Sequence, residues 1–596
     1  MAEMTTLPGI PDEIKTILDT VEGIEDQYFR KIAKELRQIN ALSHLVSELE
    51  KDFVVEIDKI KTALKKLLDN PSDDINEKSK ILGDLKRIRR GTHLMWPNKV
   101  KKDSSSRKPQ AASSFESQNL SLAWQQPRFL MTTGIRNLES TYHNLESHQI
   151  KLCLLSFSIF PENSVIKKRP LIYWWIGEGF IDETKTKTAE EVGEAVFEQL
   201  IRKDLITPEV HDDSSPVVNK CSLHPWIHRM LILLAKEVQL FEFISKEVQP
   251  FEFISKEEFS KNRRVCLVSK TQNYSSAIEY TSLPEKLWSL FNVSEQYLNF
   301  KPKWLTKLKM IEVLQLGQWQ ADFRHHIEVV NEELLKGLGA HKNLKYLSLR
   351  GISRITELPP SIVNLTSLEI LDLKACYNLE TLPDDIALFR KLTHLDVSEC
   401  YLLERMPKGI DTLDSLQVLK GFLIGSSENT PCRLADLRSL KRLRRLSIYI
   451  GNDAEIQGGQ LDGLEKFSSL RCLTITWALP PSKSKVKSKS SSRPPDTPER
   501  GRRGIPLNAP PDLHKLDLRS IPQNTPPDGL NPNKLKNLKK LYIRGGELSS
   551  FDFGGQDKWT VQILRLNYLK KLTIDKPKLE QQFPHLLYLE NKELKS

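Results

Sequence analysis

The sequence of 596 residues contains no Gly-Lys dipeptide. It therefore has no G-x-x-x-x-G-K-[ST] loop, whose backbone amides and lysine would cradle the phosphates of a nucleotide. No run of 18 or more apolar residues occurs, which excludes a membrane-spanning helix. Met1 to Thr20 lacks the basic-then-apolar layout of a signal peptide, and Ala at position 2 excludes myristoylation. The seven cysteines (153, 221, 266, 376, 400, 432, 472) lie far apart with no C-x-x-C pair, so they read as reduced buried thiols. No G-x-S-x-G occurs. His224 and His228 are four apart, but Pro225-Trp226-Ile227 between them supplies no glutamate base. These absences predict no enzyme, no catalytic residue and no metal site.

What is present is ordinary soluble composition, with 39% apolar and 28% charged residues and a net charge of +11. That charge is local. Lys86–Lys108 holds nine basic residues and one acid, and Ser482–Gly504 holds eight and two, +14 in all, leaving −3 for the rest. A basic balance confined to two short stretches argues against a nucleic-acid-binding fold surface.

Along the chain, Ile14, Val21 and Tyr28, then Ile32, Ile39, Val46, Phe53, Ile60 and Leu67, recur at seven-residue steps, with Leu36 and Leu64 among their companions. This pattern predicts an amphipathic coiled-coil helix or hairpin over residues 1–70 that needs a helical partner. Residues 71–127 read as a disordered basic linker. Residues 128–236 regain helical periodicity, with helices expected at Leu171–Ile181 and from Ala189. Residues 237–262 carry two near-identical decapeptides, EVQLFEFISK and EVQPFEFISK, expected as a surface connector.

From residue 263 to 596 the chain is repetitive. Leu344, Leu368, Leu392 and Leu416 are 24 residues apart, each opening an L-x-x-L-x-L frame, and Pro359, Pro383 and Pro407 keep the same step. Weaker copies begin at Ile311, Leu443, Leu470, Leu513, Leu538 and Leu569. A period of 20–29 residues with this frame predicts a leucine-rich-repeat solenoid, interrupted by a Ser/Lys/Pro insertion at 480–506. Cys376 and Cys400 follow their strands where a small group should hydrogen-bond the turn. The frame leucines point inward and the alternating residues outward on a parallel sheet. The outward candidates for protein binding are Tyr346, Arg350, Asp372, Lys374, His394, Asp396, Arg445, Tyr449, Arg519, Tyr542 and Arg544, with Ile370, Lys515, Lys540 and Lys571 beside them. The later strands are mostly basic or tyrosine, which suits an acidic protein patch.

Leu138–Ile181 resembles the winged-helix part of plant disease-resistance proteins, the coiled-coil, nucleotide-binding, leucine-rich-repeat immune receptors. The matching features are Tyr142, Leu145, Lys151, Cys153, Phe160-Pro161-Glu162, and Leu171-Ile172 leading into Trp175-Ile176-Gly177-Glu178-Gly179-Phe180. The resemblance implies a multi-domain chain with a coiled-coil N-terminus, a winged-helix domain at 128–236 and a C-terminal α/β solenoid. It also implies ADP or ATP as cofactor, yet only the basic linker stands where the family has its nucleotide-binding domain. The family's nucleotide-sensing Met-His-Asp motif falls at Leu223-His224-Pro225, leaving His224 a vestigial position. The resemblance implies defence by protein recognition: a pathogen effector or host target on the repeats and a helical partner at the N-terminus. The location implied is cytoplasmic, with placement at the plasma membrane or nucleus left open. The rival readings are a truncated ADP/ATP-switched receptor and, ranked below it, a winged-helix nucleic-acid binder.

Overall fold

The computed structural model describes residues 139–209, 215–245, 263–268, 286–298, 305–319, 327–329, 332–425, 431–451, 454, 461, 463–478, 505–551 and 558–592, with scattered helical residues between 32 and 85. They form two compact units: residues 1–168 with 191–238, and residues 169–190 with 239–596.

In the first unit, most of the helix expected over 1–70 lies outside the described residues. Ile32, Leu36, Ile60 and Leu64, all stripe positions, are helical and buried. Lys78, Ile81 and Leu85 are also helical, with Ile81 and Leu85 buried. These helical residues fall at the start of the linker expected over 71–127, and the rest of that stretch, beyond Leu85, lies outside the described residues. Helix α1 (His148–Leu155) starts at Ser147, whose hydroxyl accepts the Gln149 amide at 3.2 Å, a normal N-cap. Strands β1 (Ile166–Lys167), β2 (Thr207–Pro208) and β3 (Lys220–Ser222) form a small antiparallel sheet in the order β1-β3-β2. Helix α2 (Lys168–Gly177) belongs, from Arg169 on, to the second unit, and helix α3 spans Ala189–Arg202. Helix α4 (Pro225–Glu237) opens on a proline, whose missing N–H is no loss in the first turn. His224 is half-buried just before α4, and its carbonyl accepts the His228 amide at 2.9 Å.

The second unit is built on a fourteen-stranded parallel sheet. In chain order its strands are β4 (Glu242–Ser245), β5 (Arg264–Val268), β6 (Ser289–Asn292), β8 (Val313–Gln315), β10 (Tyr346–Ser348), β11 (Ile370–Asp372), β12 (His394–Asp396), β13 (Val418–Ile424) and β14 (Arg445–Ile450). It continues through β15 (Cys472–Trp477), β16 (Lys515–Ile521), β17 (Lys540–Gly546), β18 (Ile563–Asn567) and β19 (Tyr588–Lys592). Strands β7 (Tyr297–Leu298) and β9 (Glu328–Val329) pair separately, and helix α5 (Lys576–Gln582) precedes β19.

Two expectations differ from what is seen. The first decapeptide, expected as a surface connector, supplies β4 and so begins the sheet, because Glu242–Ser245 pairs with Val265–Val268. The second decapeptide lies outside the described residues, as does the insertion expected at 480–506 apart from Ile505 and Pro506. The strand expected from Leu569 is absent. Ile563–Asn567 takes that place, in register with Lys540–Arg544 on one side and Tyr588–Lys592 on the other, and the chain then turns into α5.

The register explains the stability. Leu347, Leu371, Leu395, Leu419, Leu446, Leu473, Leu516, Leu541 and Leu564 stand side by side across successive strands, all buried. Burying one leucine is worth about 1.5–3 kcal/mol, and in a solenoid each repeat gains it only from its neighbours. The sheet passes from β15 to β16 in register, although 37 residues of chain separate Trp477 from Lys515 in the sequence. Cys376 Sγ donates to the Leu349 carbonyl at 3.1 Å and Cys400 Sγ to that of Leu373 at 3.2 Å, linking each turn to the repeat before it. Gly351, Ala375 and Glu399, again 24 apart, all take left-handed backbone (φ 66°, 60° and 65°) to turn the chain off its strand. That conformation is free for glycine and costs the other two about 1 kcal/mol each.

Candidate functional site

The outward face of the sheet is divided. Over strands β6 to β14 it is covered by residues 169–190 of the same unit. Trp174 is fully buried there, its ring 4.6 Å from Phe291 and 5.9 Å from Trp319. Its indole N–H donates to Glu178 at 2.9 Å, and Glu178 also accepts from Arg264 Nε at 2.8 Å and Ser289 Oγ at 2.6 Å. Gly177 lies so close to β10 that an added Cβ would stand 2.5 Å from Tyr346 Cβ, so only glycine fits.

Glu190 closes the other end of this segment. Its carboxylate accepts from Arg445 Nε at 2.9 Å and from the Tyr173 hydroxyl at 3.2 Å, and pairs with Arg169. Burial by itself would raise the Glu190 carboxyl; Arg445 and Arg169 overcome this and hold it at about 2. The Tyr173 ring packs against His394 at 4.6 Å, with Lys420 Nζ 5.2 Å above it. Lys420 donates to Asp396 at 2.9 Å. Burial favours the carboxylic acid at Asp396, but Lys420 and then Lys374 bring it down to about 2. Farther along, Arg442 reaches Glu183 at 2.8 Å.

Several expected binding residues are thereby not available to a partner. Tyr346 and His394 are 2% and 5% exposed, Tyr346 donating to Gln315 at 2.9 Å, and Arg445 is engaged by Glu190. The physical reason is the row Tyr346, Ile370, His394, Val418, which lies in register across β10 to β13 and is too apolar to face water. An apolar row at outward positions was the available signal that something covers it. Asp372 is half-buried, its carboxyl raised by desolvation against the opposing pull of Arg350, and it accepts the Lys374 amide at 3.0 Å. Lys374 is paired with Glu399 at 2.7 Å. Sequence reading missed Glu190, Arg169, Tyr173 and Glu178, because nothing local marks a residue as the cover of a strand some 250 positions later in the chain.

The second part of the face, β14 to β19, keeps Tyr449, Arg519 and Arg544 partly exposed, whereas Tyr542, expected as a binding residue, is only 3% exposed. Asp517 is fully buried and pairs with Arg519 at 2.9 Å, Arg544 at 3.5 Å and Lys515 at 3.9 Å. The Tyr542 ring sits under Lys515 Nζ at 4.6 Å, Arg565 Cζ at 4.8 Å and Arg544 Cζ at 5.5 Å. Burial lowers the Lys515 ammonium to about 8, with Asp517 only partly opposing it. Lys571 lies off this face and pairs with Glu547.

A family model described as a leucine-rich repeat region matches residues 286–584, half of the chain. The chain belongs to the leucine-rich-repeat family. A second model, the disease resistance protein winged helix domain, matches residues 159–231 of the repeat protein. Disease resistance RPP13-like protein 4 of Arabidopsis thaliana is 29% identical over 455 residues, which cover 76% of this chain and 49% of that protein. Disease resistance protein Pik-2 of Oryza sativa subsp. japonica is 29% identical over 235 residues, 39% of this chain and 21% of that protein. The repeat protein thus spans about half the length, or less, of these curated relatives. Among solved structures, an internalin from Listeria monocytogenes aligns over 52% of this chain and 82% of that one, with 16% identity and a TM-score of 0.32. A complex of TLR13 with ssRNA13 aligns over 60% and 54%, with 17% identity and a TM-score of 0.34. At those scores the strand register, not the superposition, carries the fold. Among the described residues no group of three or more His, Cys, Asp or Glu could hold a metal, and no helix is long and apolar enough to cross a membrane.

The covered part of the face has a pH signature. Burial lowers the His394 imidazole to about 4, Glu190 raising it against the opposing charges of Lys420, Arg445 and Arg169. An unfolded histidine titrates near 6.5, so the unfolded chain binds the extra proton first and stability falls as pH drops from about 6.5 to 4. The loss reaches roughly 3 kcal/mol at the bottom of that window. His228, His341 and His514 are lowered too, chiefly by burial, and contribute in the same direction. Comparing melting temperatures of wild type and His394→Gln at pH 7 and about 4.5 isolates its share. Equal slopes for the two would remove His394 from the account.

Proposed function

We propose that the repeat protein is a non-catalytic recognition protein of plant defence that holds a pathogen effector or a host target on its repeats. The observation carrying this reading is the continuous parallel sheet, whose last strands turn the half-exposed Arg519 and Arg544 outward in the same row as the half-buried Tyr449, the residue types that anchor protein interfaces. The winged-helix match and the disease-resistance relatives support the defence setting. The proposal includes a cytoplasmic location and a helical partner for the N-terminal segment.

It also includes the lack of an ATP/ADP switch. No Gly-Lys dipeptide stands anywhere to carry a phosphate loop, so the residues present do not fit a nucleotide's phosphates, and His224 remains a vestige of the sensing position. The length of the relatives favours a second reading, in which this chain is part of a longer, nucleotide-switched receptor. A nucleic-acid role is disfavoured by α2, whose residues Leu171 to Gly177 are all buried and so cannot enter a groove.

Nucleotide extraction from the purified full chain, followed by titration with labelled ADP and ATP, tests the switchless reading. Folded protein without bound nucleotide is the expected result. Stoichiometric ADP sinks the switchless reading. Recognition itself is tested by cross-linking the full chain in infected and healthy plant tissue. A partner that attaches only outside residues 263–596 removes the repeats from the recognition role.

A further inference from the structure

The register of the last strands sorts the outward residues into rows. One row runs Tyr449, Thr476, Arg519, Arg544, Asn567, Lys592 across β14 to β19 and contains three cations and no acid. The next row holds Asp517, Tyr542, Arg565 and Glu590. Its two acids are the only counter-charges on strands β16 to β19 among the described residues, and both are buried. Asp517 is shared among Lys515, Arg519 and Arg544, and Glu590 between Arg565 at 3.1 Å and Lys592 at 3.4 Å. Five cations therefore meet two carboxylates on these strands, with Glu399 of an earlier turn also drawing on Arg519. The side chains of Arg519, Arg544 and Lys592 are 42%, 34% and 37% exposed, so their outer faces remain open to water. Arg544 Nε has no hydrogen-bond partner among the described residues.

At its β14 end this row meets an aromatic ladder. Tyr449 packs edge-on to Tyr401 at 6.4 Å, and Tyr401 stacks on Tyr377 at 5.9 Å with rings 5° from parallel. Tyr401 and its neighbour Leu402 are 62% and 53% exposed, unusual for large apolar side chains so close together. The repeat of Tyr377 stands eight strand spacings from β19, about 38 Å at ~4.8 Å each. An extended peptide of about twelve residues has the same span.

We infer that the row from Tyr377 to Lys592 is a docking strip for one extended acidic peptide segment of a partner protein, its apolar or aromatic end on Tyr377, Tyr401 and Tyr449 and its carboxylates on Arg519, Arg544 and Lys592. The inference rests on the proposal that the repeats recognise a protein, and it names the strands and the chemistry they select. Spaced carboxylates fit better than a compact polyphosphate. The buried carboxylates of Asp517 and Glu590 sit between the cations and repel a dense charge while leaving each guanidinium its own outer edge. Burial holds the Lys515 ammonium at about 8 against the pull of Asp517, and an added carboxylate beside it favours the charged form further.

The probe is a fluorescein-labelled dodecapeptide of alternating glutamate and alanine with two tyrosines at one end, titrated against the full chain and followed by anisotropy. The expected result is saturable binding that weakens at about 0.3 M salt. Arg519→Glu with Arg544→Glu should weaken it at least about tenfold, and Tyr401→Ala by about threefold or more. Lys534→Glu, an exposed change of the same charge before β17, should leave it unchanged. The milder Arg519→Gln with Arg544→Gln, checked by its melting curve, covers the case in which the charge reversals unfold the strands. No saturable binding, or binding indifferent to both double variants, overturns the strip. Tripolyphosphate displacing the peptide at a lower concentration than unlabelled peptide overturns the peptide in favour of a small phosphate anion. A partner found by cross-linking that still binds both double variants leaves recognition standing and removes this site alone.

Discussion

Replacing Trp174 with alanine is expected to destabilise the second unit by about 3–5 kcal/mol, the range for emptying a buried tryptophan site. The ring is fully buried among Phe180, Phe241, Phe291 and Trp319, and its N–H is tied to Glu178, so no neighbour can collapse into the space without breaking that bond. Because a solenoid passes stability only between neighbouring repeats, the loss should be local. Hydrogen exchange should speed up in β5, β6, β8 and β10 while β16 to β19 keep their protection. Uniform loosening of all the strands, or none, would show that residues 169–190 are not what holds the early repeats.

The second large effect is at Glu190. Glu190→Gln keeps the shape but leaves Arg445 and Arg169 facing a neutral amide. Removing one member of a buried pair costs about 3–5 kcal/mol; both arginines keep some water, so about 2–3 kcal/mol is expected here. The sign with pH follows from the carboxyl's low value. Its contribution is complete above about 4.5 and is lost as pH falls toward 2, so the variant's deficit should be full at neutral pH and shrink in acid. Thermal unfolding of both proteins at neutral pH and at about pH 3 measures this. A double-mutant cycle with Arg445→Met then gives the coupling directly. A deficit that does not change with pH would mean that lost packing, not charge, is responsible.

The solenoid was legible because its cause is periodic. A leucine every 24 residues has one way to bury itself, beside the leucine of the next turn, and β10, β11 and β12 appear where Leu344, Leu368 and Leu392 placed them. The two cysteines expected to hydrogen-bond their turns do so. Legibility failed where the cause was pairing between distant segments. The first decapeptide became β4 because an edge next to β5 was open to it, and Leu569 lost its strand because Ile563–Asn567 already matched both neighbours.

The same limit governs the site. The alternation of inward and outward residues follows from the two-residue period of a strand, and it correctly turns Arg519, Tyr542 and Arg544 away from the leucine ladder. It says nothing of what lies above them. By itself the sequence determined the repeat, its register and the chemistry each strand displays, since these depend on local periodicity and the need to bury leucine. Only the tertiary structure decided which part of the display is already taken. Tyr173, Gly177 and Glu190 reach His394, Tyr346 and Arg445 across more than 150 residues of chain, and long-range packing of that kind leaves no periodic trace.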